Sequence, residues 1–232
     1  MKKNYRIFNI DKTKPIYMVI PGFMGNYSEG FIKNIFNFLV ENKHSVYGVK
    51  FKGHEKNEKI LANPDEMVSH LKDEYLKLKK TYPLRKIIIL AHSQGCAITL
   101  KSHACFKKGT KLILMAPAVF IDEIILSRID KDAINLIKAG TPALCKVSQD
   151  KFRMLDKEWF LAYEKFSLQN KLANIKQACL IIRPDNDFID KKNAQVLADE
   201  ILQNTYIETI GNHWFDEPEN SFEELAKKLL LY

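Results

Sequence analysis

At 232 residues, 46% hydrophobic and 28% charged, the chain has the composition of an ordinary globular protein with room for one substantial core. No apolar run reaches the roughly 18 residues of a membrane span; "LILMAPAVFI" at 112–121 is interrupted by a proline. The formal net charge of +8 is spread along the whole chain, without the arginine cluster or aromatic-interleaved basic stripe that tracks nucleic acid. Such a charge can still draw an acidic carrier protein or anionic lipid.

The N-terminal "MKKNYRIFNIDKTKP" has neither an apolar stretch of secretory type nor a small-residue cleavage site, so a cytoplasmic location is expected. The first strand is expected at "PIYMVI" (15–20), with a further one expected at "YRIFNI" (5–10). Then come "SVYGVK" (45–50), an amphipathic helix over 63–82, and the strands "KIIIL" (86–90) and "KLILMA" (111–116). In that helix Asn63 is the expected N-cap, Pro64 fits the first turn, and Met67, Leu71, Tyr75 and Leu78 share a face. "ACLIIR" (178–183) and "TYIETI" (205–210) complete the strands, with helices over 191–202 and 221–232. Several strands are continuous apolar runs, as expected of parallel strands covered on both faces. The fold class is therefore α/β with a mainly parallel sheet, in a single domain over 1–232. About sixty residues separate the strands near 116 and 178, too many for a simple crossover. Helical patterns at "DEIILSRI", "DKDAINLIKA" and "KEWFLAYEKFSL" make 120–172 a helical cap inserted over one end of the sheet.

Cys96, Cys105, Cys145 and Cys179 form no C-x-x-C pair, which argues against a zinc knuckle or redox dithiol. Chemistry is instead expected at the carboxyl ends of the strands, where open α/β sheets bind ligands. Those ends read "PGFMGN" (21–26), "FKGHEKN" (51–57), "AHSQG" (91–95), "PDNDFID" (184–190) and "GNHWFDEP" (211–218). A serine, a group of aspartates and a histidine thus follow three strands in that order. Serine is a poor nucleophile unless a histidine takes its proton, and the histidine needs a carboxylate to hold its tautomer. A tight bend must present the serine, and Ala91 and Gly95 supply small neighbours for it.

Of six histidines, His44, His70 and His103 fall on predicted helices or their ends, and His92 adjoins Ser93 but points elsewhere at a sharp turn. His54 is expected to line the pocket, and His213 alone follows the last strand. Asp185, Asp187 and Asp190 are all candidates for the acid; Asp185 can instead brace a turn and Asp190 cap the following helix. Met24 is expected in the pocket, and Trp159, Phe160, Tyr163 and Phe166 recur at helical spacing, giving either packing or, through Trp159, an apolar acyl-binding wall.

From about residue 15 onward the chain resembles the α/β-hydrolase family, most nearly its small carboxylesterases and monoacylglycerol lipases. "AHSQG" resembles the nucleophile elbow and "PGFMGN" the oxyanion loop, while the "K-G-H" segment at 52–54 is similar to one in those lipases. The resemblance implies Ser93 as nucleophile, His213 as base and Asp187 as the acid by its spacing. It also implies an oxyanion hole from the backbone N–H groups of Phe23 and Gln94. Ala91 in place of the elbow's first glycine, Pro184 in place of the glycine before the acid, and Glu55 after Gly53-His54 depart from the pattern. The implied activity is a serine esterase acting on small-molecule acyl esters of hydrophobic carboxylic acids, with no metal and no organic cofactor. A thioesterase acting on acyl-coenzyme A or an acyl-carrier protein is the alternative, and a catalytically silent hydrolase-fold binding module a third reading.

Overall fold

The computed structural model describes residues 13–148, 150–168 and 171–232; the strand expected at 5–10 lies outside them. The strands are β1 (Ile16–Ile20), β2 (Ser45–Gly48), β3 (Ile87–His92), β4 (Lys111–Met115), β5 (Ala143–Ser148), β6 (Lys151–Leu155), β7 (Ala178–Asn186) and β8 (Asn204–Asn212). The helices are α1 (Gly30–Glu41), α2 (Pro64–Thr81), α3 (Gln94–Lys101), α4 (Ile121–Leu126), α5 (Lys131–Lys138), α6 (Lys157–Glu164), α7 (Lys192–Glu200) and α8 (Ser221–Leu231). Six strands form one parallel sheet in the order β2-β1-β3-β4-β7-β8.

The continuous apolar runs divide residue by residue between two cores, because successive side chains leave a strand on opposite faces. Ile16, Met18 and Ile20 of β1, with Ile87 and Ile89 of β3, join α2 and α3 in one layer. Tyr17 and Val19, with Ile88 and Leu90, join α1 and α8 in the other. A polar residue at any of these positions would face a helix rather than water, so neither face can alternate in hydrophobicity.

Helix α2 begins where a reciprocal capping box begins it. The Asn63 carboxamide accepts from the Glu66 N–H and the Glu66 carboxylate from the Asn63 N–H, each at 2.9 Å. Met67, Leu71, Tyr75 and Leu78 are all buried.

Between β4 and β7 the three segments read as helical form α4, α5 and α6. The interval also holds an antiparallel hairpin, β5–β6, that its sequence does not announce. Its strands do alternate between buried Ala143, Cys145 and Val147 and outward Leu144 and Lys146. Outward Leu144, Phe152 and Met154 are apolar, which erases the period-two signal on which a strand is recognised. Buried Arg153 ties the hairpin down: its Nε donates to the Gly53 carbonyl at 2.6 Å.

Candidate active site

The strand order places the ends of β1, β3, β7 and β8 along one edge of the sheet. Ser93 stands between β3 and α3 with φ 54° and ψ −127°, a conformation that costs a non-glycine residue about 1–3 kcal/mol. Its surroundings hold it there. The Ser93 N–H donates to the Met115 carbonyl at 3.0 Å, and its carbonyl accepts from Cys96 at 2.9 Å and Ala118 at 3.3 Å. The bend is possible because glycines stand at the two places where a side chain would collide with it. A Cβ on Gly95 would lie 2.5 Å from the Pro21 carbonyl oxygen, and one on Gly22 would lie 2.8 Å from the Ser93 Cβ. Ala91, by contrast, fits fully buried inside β3.

Ser93 Oγ lies 3.0 Å from His213 Nε2, and His213 Nδ1 lies 2.8 Å from Asp187 Oδ1. The His213 and Asp187 side chains are only 4% and 2% exposed, so water does not compete for their bond. Asp187 Oδ1 also accepts from the Ile189 N–H at 2.8 Å, which fixes the carboxylate. The β7–β8 register shifts between Pro184 and Asn186, and this irregularity carries Asp187 to His213. The other two aspartates are occupied elsewhere: Asp185 accepts from the Gly211 N–H across to β8, and Asp190 from the Lys192 N–H at the start of α7.

Phe23 and Met24 line the cleft beside Ser93. Gln94 is the first residue of α3, where a backbone N–H has no carbonyl of its own helix to donate to. Its side chain turns the other way, donating to the Tyr163 hydroxyl and so joining the elbow to α6.

Two expected pocket residues are placed elsewhere. His54 is fully buried and does not line the cleft; its Nδ1 donates to the Gly25 carbonyl at 2.8 Å and braces the loop after β1. Trp159 is likewise absent from the cleft lining: it is buried, with its ring centroid 4.3 Å from that of Tyr163. The aromatic face of α6 packs toward α2 and α4, as an apolar helical stripe does when a neighbouring helix is there to receive it.

His92 has a larger part than its position at a turn suggests. Its Nε2 lies 2.8 Å from the His213 carbonyl oxygen, and the two rings are 4.8 Å apart, so it supports the loop that carries His213. Burial pushes His92 down to about 3, with the nearby His213 acting in the same direction. Burial likewise pushes His54 down to about 4, and Lys151 and Arg153 add to this against the bond to Gly25. Both imidazoles are therefore neutral, and because a carbonyl only accepts, the nitrogen facing it carries the hydrogen. In the unfolded chain both groups take up protons below about 6.5. The stability they contribute is thus fully present above that pH and is lost as pH falls toward 4 for His54 and 3 for His92. Each contributes a slope of at most about 1.4 kcal/mol per pH unit. Denaturant melts between pH 7 and 4 should show this decline, and His54→Asn, which keeps a donor toward Gly25, should shallow it. An unchanged slope in that variant would contradict the assignment.

The cleft over Ser93 encloses about 590 Å³. Phe31 and Ile32 of α1 border it, as do Val147 and Ser148 of the hairpin and the aromatic pair Phe188 and Trp214. Lys151 spans its wall, donating to the Met24 carbonyl at 3.1 Å and pairing with Glu29 at 3.4 Å. None of these contacts has a local sequence signal; each depends on how the 120–172 interval folds back over the sheet edge. Among the described residues no His, Cys, Asp and Glu side chains group as a metal site, and no helix is long and apolar enough to cross a membrane.

No curated protein matches the chain in sequence. Among solved structures it is similar to Est1E from Butyrivibrio proteoclasticus with ferulic acid bound, at 17% identity and a TM-score of 0.74, covering 98% of this chain and 94% of that one. It is similar also to α/β-hydrolase domain-containing protein 10 from mouse, at 14% identity and a TM-score of 0.70, covering 97% and 91%. A monoacylglycerol lipase of Paleococcus ferrophilus superposes at 14% identity and a TM-score of 0.68, covering 99% and 97%. These likenesses establish the α/β-hydrolase fold. Residues 11–158 match the family described as serine aminopeptidase, S33, a span that takes in the loop at 21–26 and Ser93, while Asp187 and His213 follow it. With well over half its length matched, the chain belongs to the serine aminopeptidase S33 family of α/β hydrolases.

Proposed function

We propose that this protein is a serine esterase that cleaves acyl esters of hydrophobic carboxylic acids. The observation that carries the reading is the unbroken relay from Ser93 Oγ through His213 to Asp187, with bonds of 3.0 and 2.8 Å. His213 Nε2 takes the proton as Ser93 Oγ attacks the ester carbonyl, and Asp187 stabilises the imidazolium that forms. The backbone N–H groups of Phe23 and Gln94 receive the developing oxyanion, an interaction typically worth about 3–4 kcal/mol per donor in the transition state. His213 then returns the proton to the leaving alcohol. A water molecule, activated by the same imidazole, releases the acid from Ser93.

The lining favours an ester over a peptide N-terminus. An aminopeptidase must hold a substrate ammonium, yet Glu29 is the only carboxylate among the described cleft residues and it is paired with Lys151. Phe23, Met24, Ile32 and Val147 offer an apolar wall suited to an acyl chain. A thioesterase acting on acyl-coenzyme A or an acyl-carrier protein is the second reading, favoured by Arg128 and Lys151 at the cleft. The deciding experiment treats the protein with a fluorophosphonate probe and then measures turnover of p-nitrophenyl esters from C2 to C12 beside the matching acyl thioesters. Labelling at Ser93 with a maximum at one oxyester chain length is expected. Thioester turnover well above oxyester turnover would favour the second reading, and a protein that neither labels nor hydrolyses would refute both.

A further inference from the structure

We propose that the Ser93 cleft selects esters whose leaving group carries an anion, a carboxylate or phosphate held by Arg128; this rests on the serine-hydrolase reading above. Arg128 follows α4 and is exposed along its flank, with its guanidinium carbon 5.0 Å from the centre of the Phe188 ring. The same ring neighbours the base: the Phe188 and His213 ring centroids are 4.4 Å apart. One aromatic ring therefore lies beside both the guanidinium and the imidazole, and all three side chains border the same cleft.

That position has a chemical meaning. The imidazole that takes the Ser93 proton hands it on to the leaving atom, so the leaving group must depart past His213. Whatever is attached to that atom extends over Phe188, toward Arg128. An anion there meets a planar set of donors that match carboxylate and phosphate oxygens two at a time.

The charges around the cleft leave Arg128 available for this. Glu29, Arg128 and Lys151 are the charged side chains of its described lining, His213 and His92 aside. Lys151 and Glu29 engage each other, and Lys151 also donates to the Met24 and His54 carbonyls. No carboxylate among the described residues forms an ion pair with Arg128. Glu123 and Asp190 border the adjoining hollow on its other side, but Glu123 pairs with Lys192 at 3.2 Å and Asp190 caps the start of α7. Stacking on Phe188 keeps the guanidinium beside the base without neutralising it.

The test compares the intact wild-type protein with Arg128→Gln and Arg128→Lys on two matched ester pairs. In the first pair, 4-carboxyphenyl butyrate and its methyl ester, the charge is on the leaving group. In the second, p-nitrophenyl hemisuccinate and its methyl ester, it is on the acyl group. Comparing variants on each ester cancels the esters' own reactivities. Arg128→Gln should lose roughly tenfold in kcat/KM on 4-carboxyphenyl butyrate and less than about threefold on its neutral partner. Arg128→Lys should recover part of the loss, and added salt should reduce the wild type's preference. Equal losses on both members of the first pair, or a selective loss confined to the hemisuccinate pair, would overturn the proposal. Fluorophosphonate labelling of the same samples separates the two levels. Labelling without charge selectivity overturns the anion site alone, whereas absence of both labelling and turnover overturns the hydrolase reading with it.

Discussion

Ser93→Ala is expected to lower kcat for ester hydrolysis by about 10⁵–10⁶-fold, the scale of loss when a triad nucleophile is removed. The reason lies in the relay: without Oγ, the His213 Nε2 that lies 3.0 Å away has no alcohol to deprotonate and no acyl-enzyme can form. The substitution should leave the fold intact. The bonds that hold residue 93 in its left-handed conformation run through its backbone N–H and carbonyl, and alanine keeps both. Fluorophosphonate labelling should vanish while the thermal midpoint moves by no more than a few degrees. The proposed oxyanion donors and the cleft would remain in place, so a small residual rate above the uncatalysed one is expected. A variant that keeps a tenth of the wild-type rate would place the nucleophile elsewhere.

Asp187→Asn should cost about 10⁴-fold in kcat with little change in KM. The substituted amide is the same size, but the Ile189 N–H and His213 Nδ1 both meet the one oxygen Oδ1, so either its oxygen or its NH2 faces both partners. With the oxygen there the amide accepts from both but carries no charge to stabilise the imidazolium; with the NH2 there it presents an N–H to His213 Nδ1 where the native group presents an oxygen at 2.8 Å. The imidazole then favours the tautomer with hydrogen on Nε2, which cannot take the Ser93 proton. Asp185→Asn is the paired control. Asp185 is exposed and accepts from the Gly211 N–H at 2.9 Å, a contact an asparagine oxygen can keep, so a loss of less than about tenfold is expected there. Steady-state kinetics on one ester separates the two; a reversed ranking would mean that Asp185 supplies the acid.

Much of this protein can be read along the chain because its signals are local. A strand covered on both faces must be apolar throughout, and "PIYMVI", "KIIIL" and "KLILMA" say so without reference to anything distant. The cap of α2 is written in four residues, Asn63 to Glu66, whose hydrogen bonds close among themselves. The serine between Ala91 and Gly95 is legible for the same reason: a bend needs small residues within reach of the backbone it crosses.

Other features were decided only when distant segments met. Three aspartates within six residues are equivalent as sequence, and what separates them is that the β7–β8 irregularity aims Asp187 at His213 while Asp185 faces the backbone of Gly211. His54 and Trp159 carry the residue types of a pocket wall but are buried: His54 turns inward to the Gly25 carbonyl and Trp159 packs on the Tyr163 ring. The hairpin carries no clear period-two signal because its outer face is mostly apolar, with Leu144, Phe152 and Met154 beside Lys146. Arg128, Lys151 and Phe188 reach the cleft from separate elements. Strand and cap patterns are set by a residue's immediate neighbours, whereas the side chains that face a substrate are set by contacts between segments that have no fixed spacing in sequence.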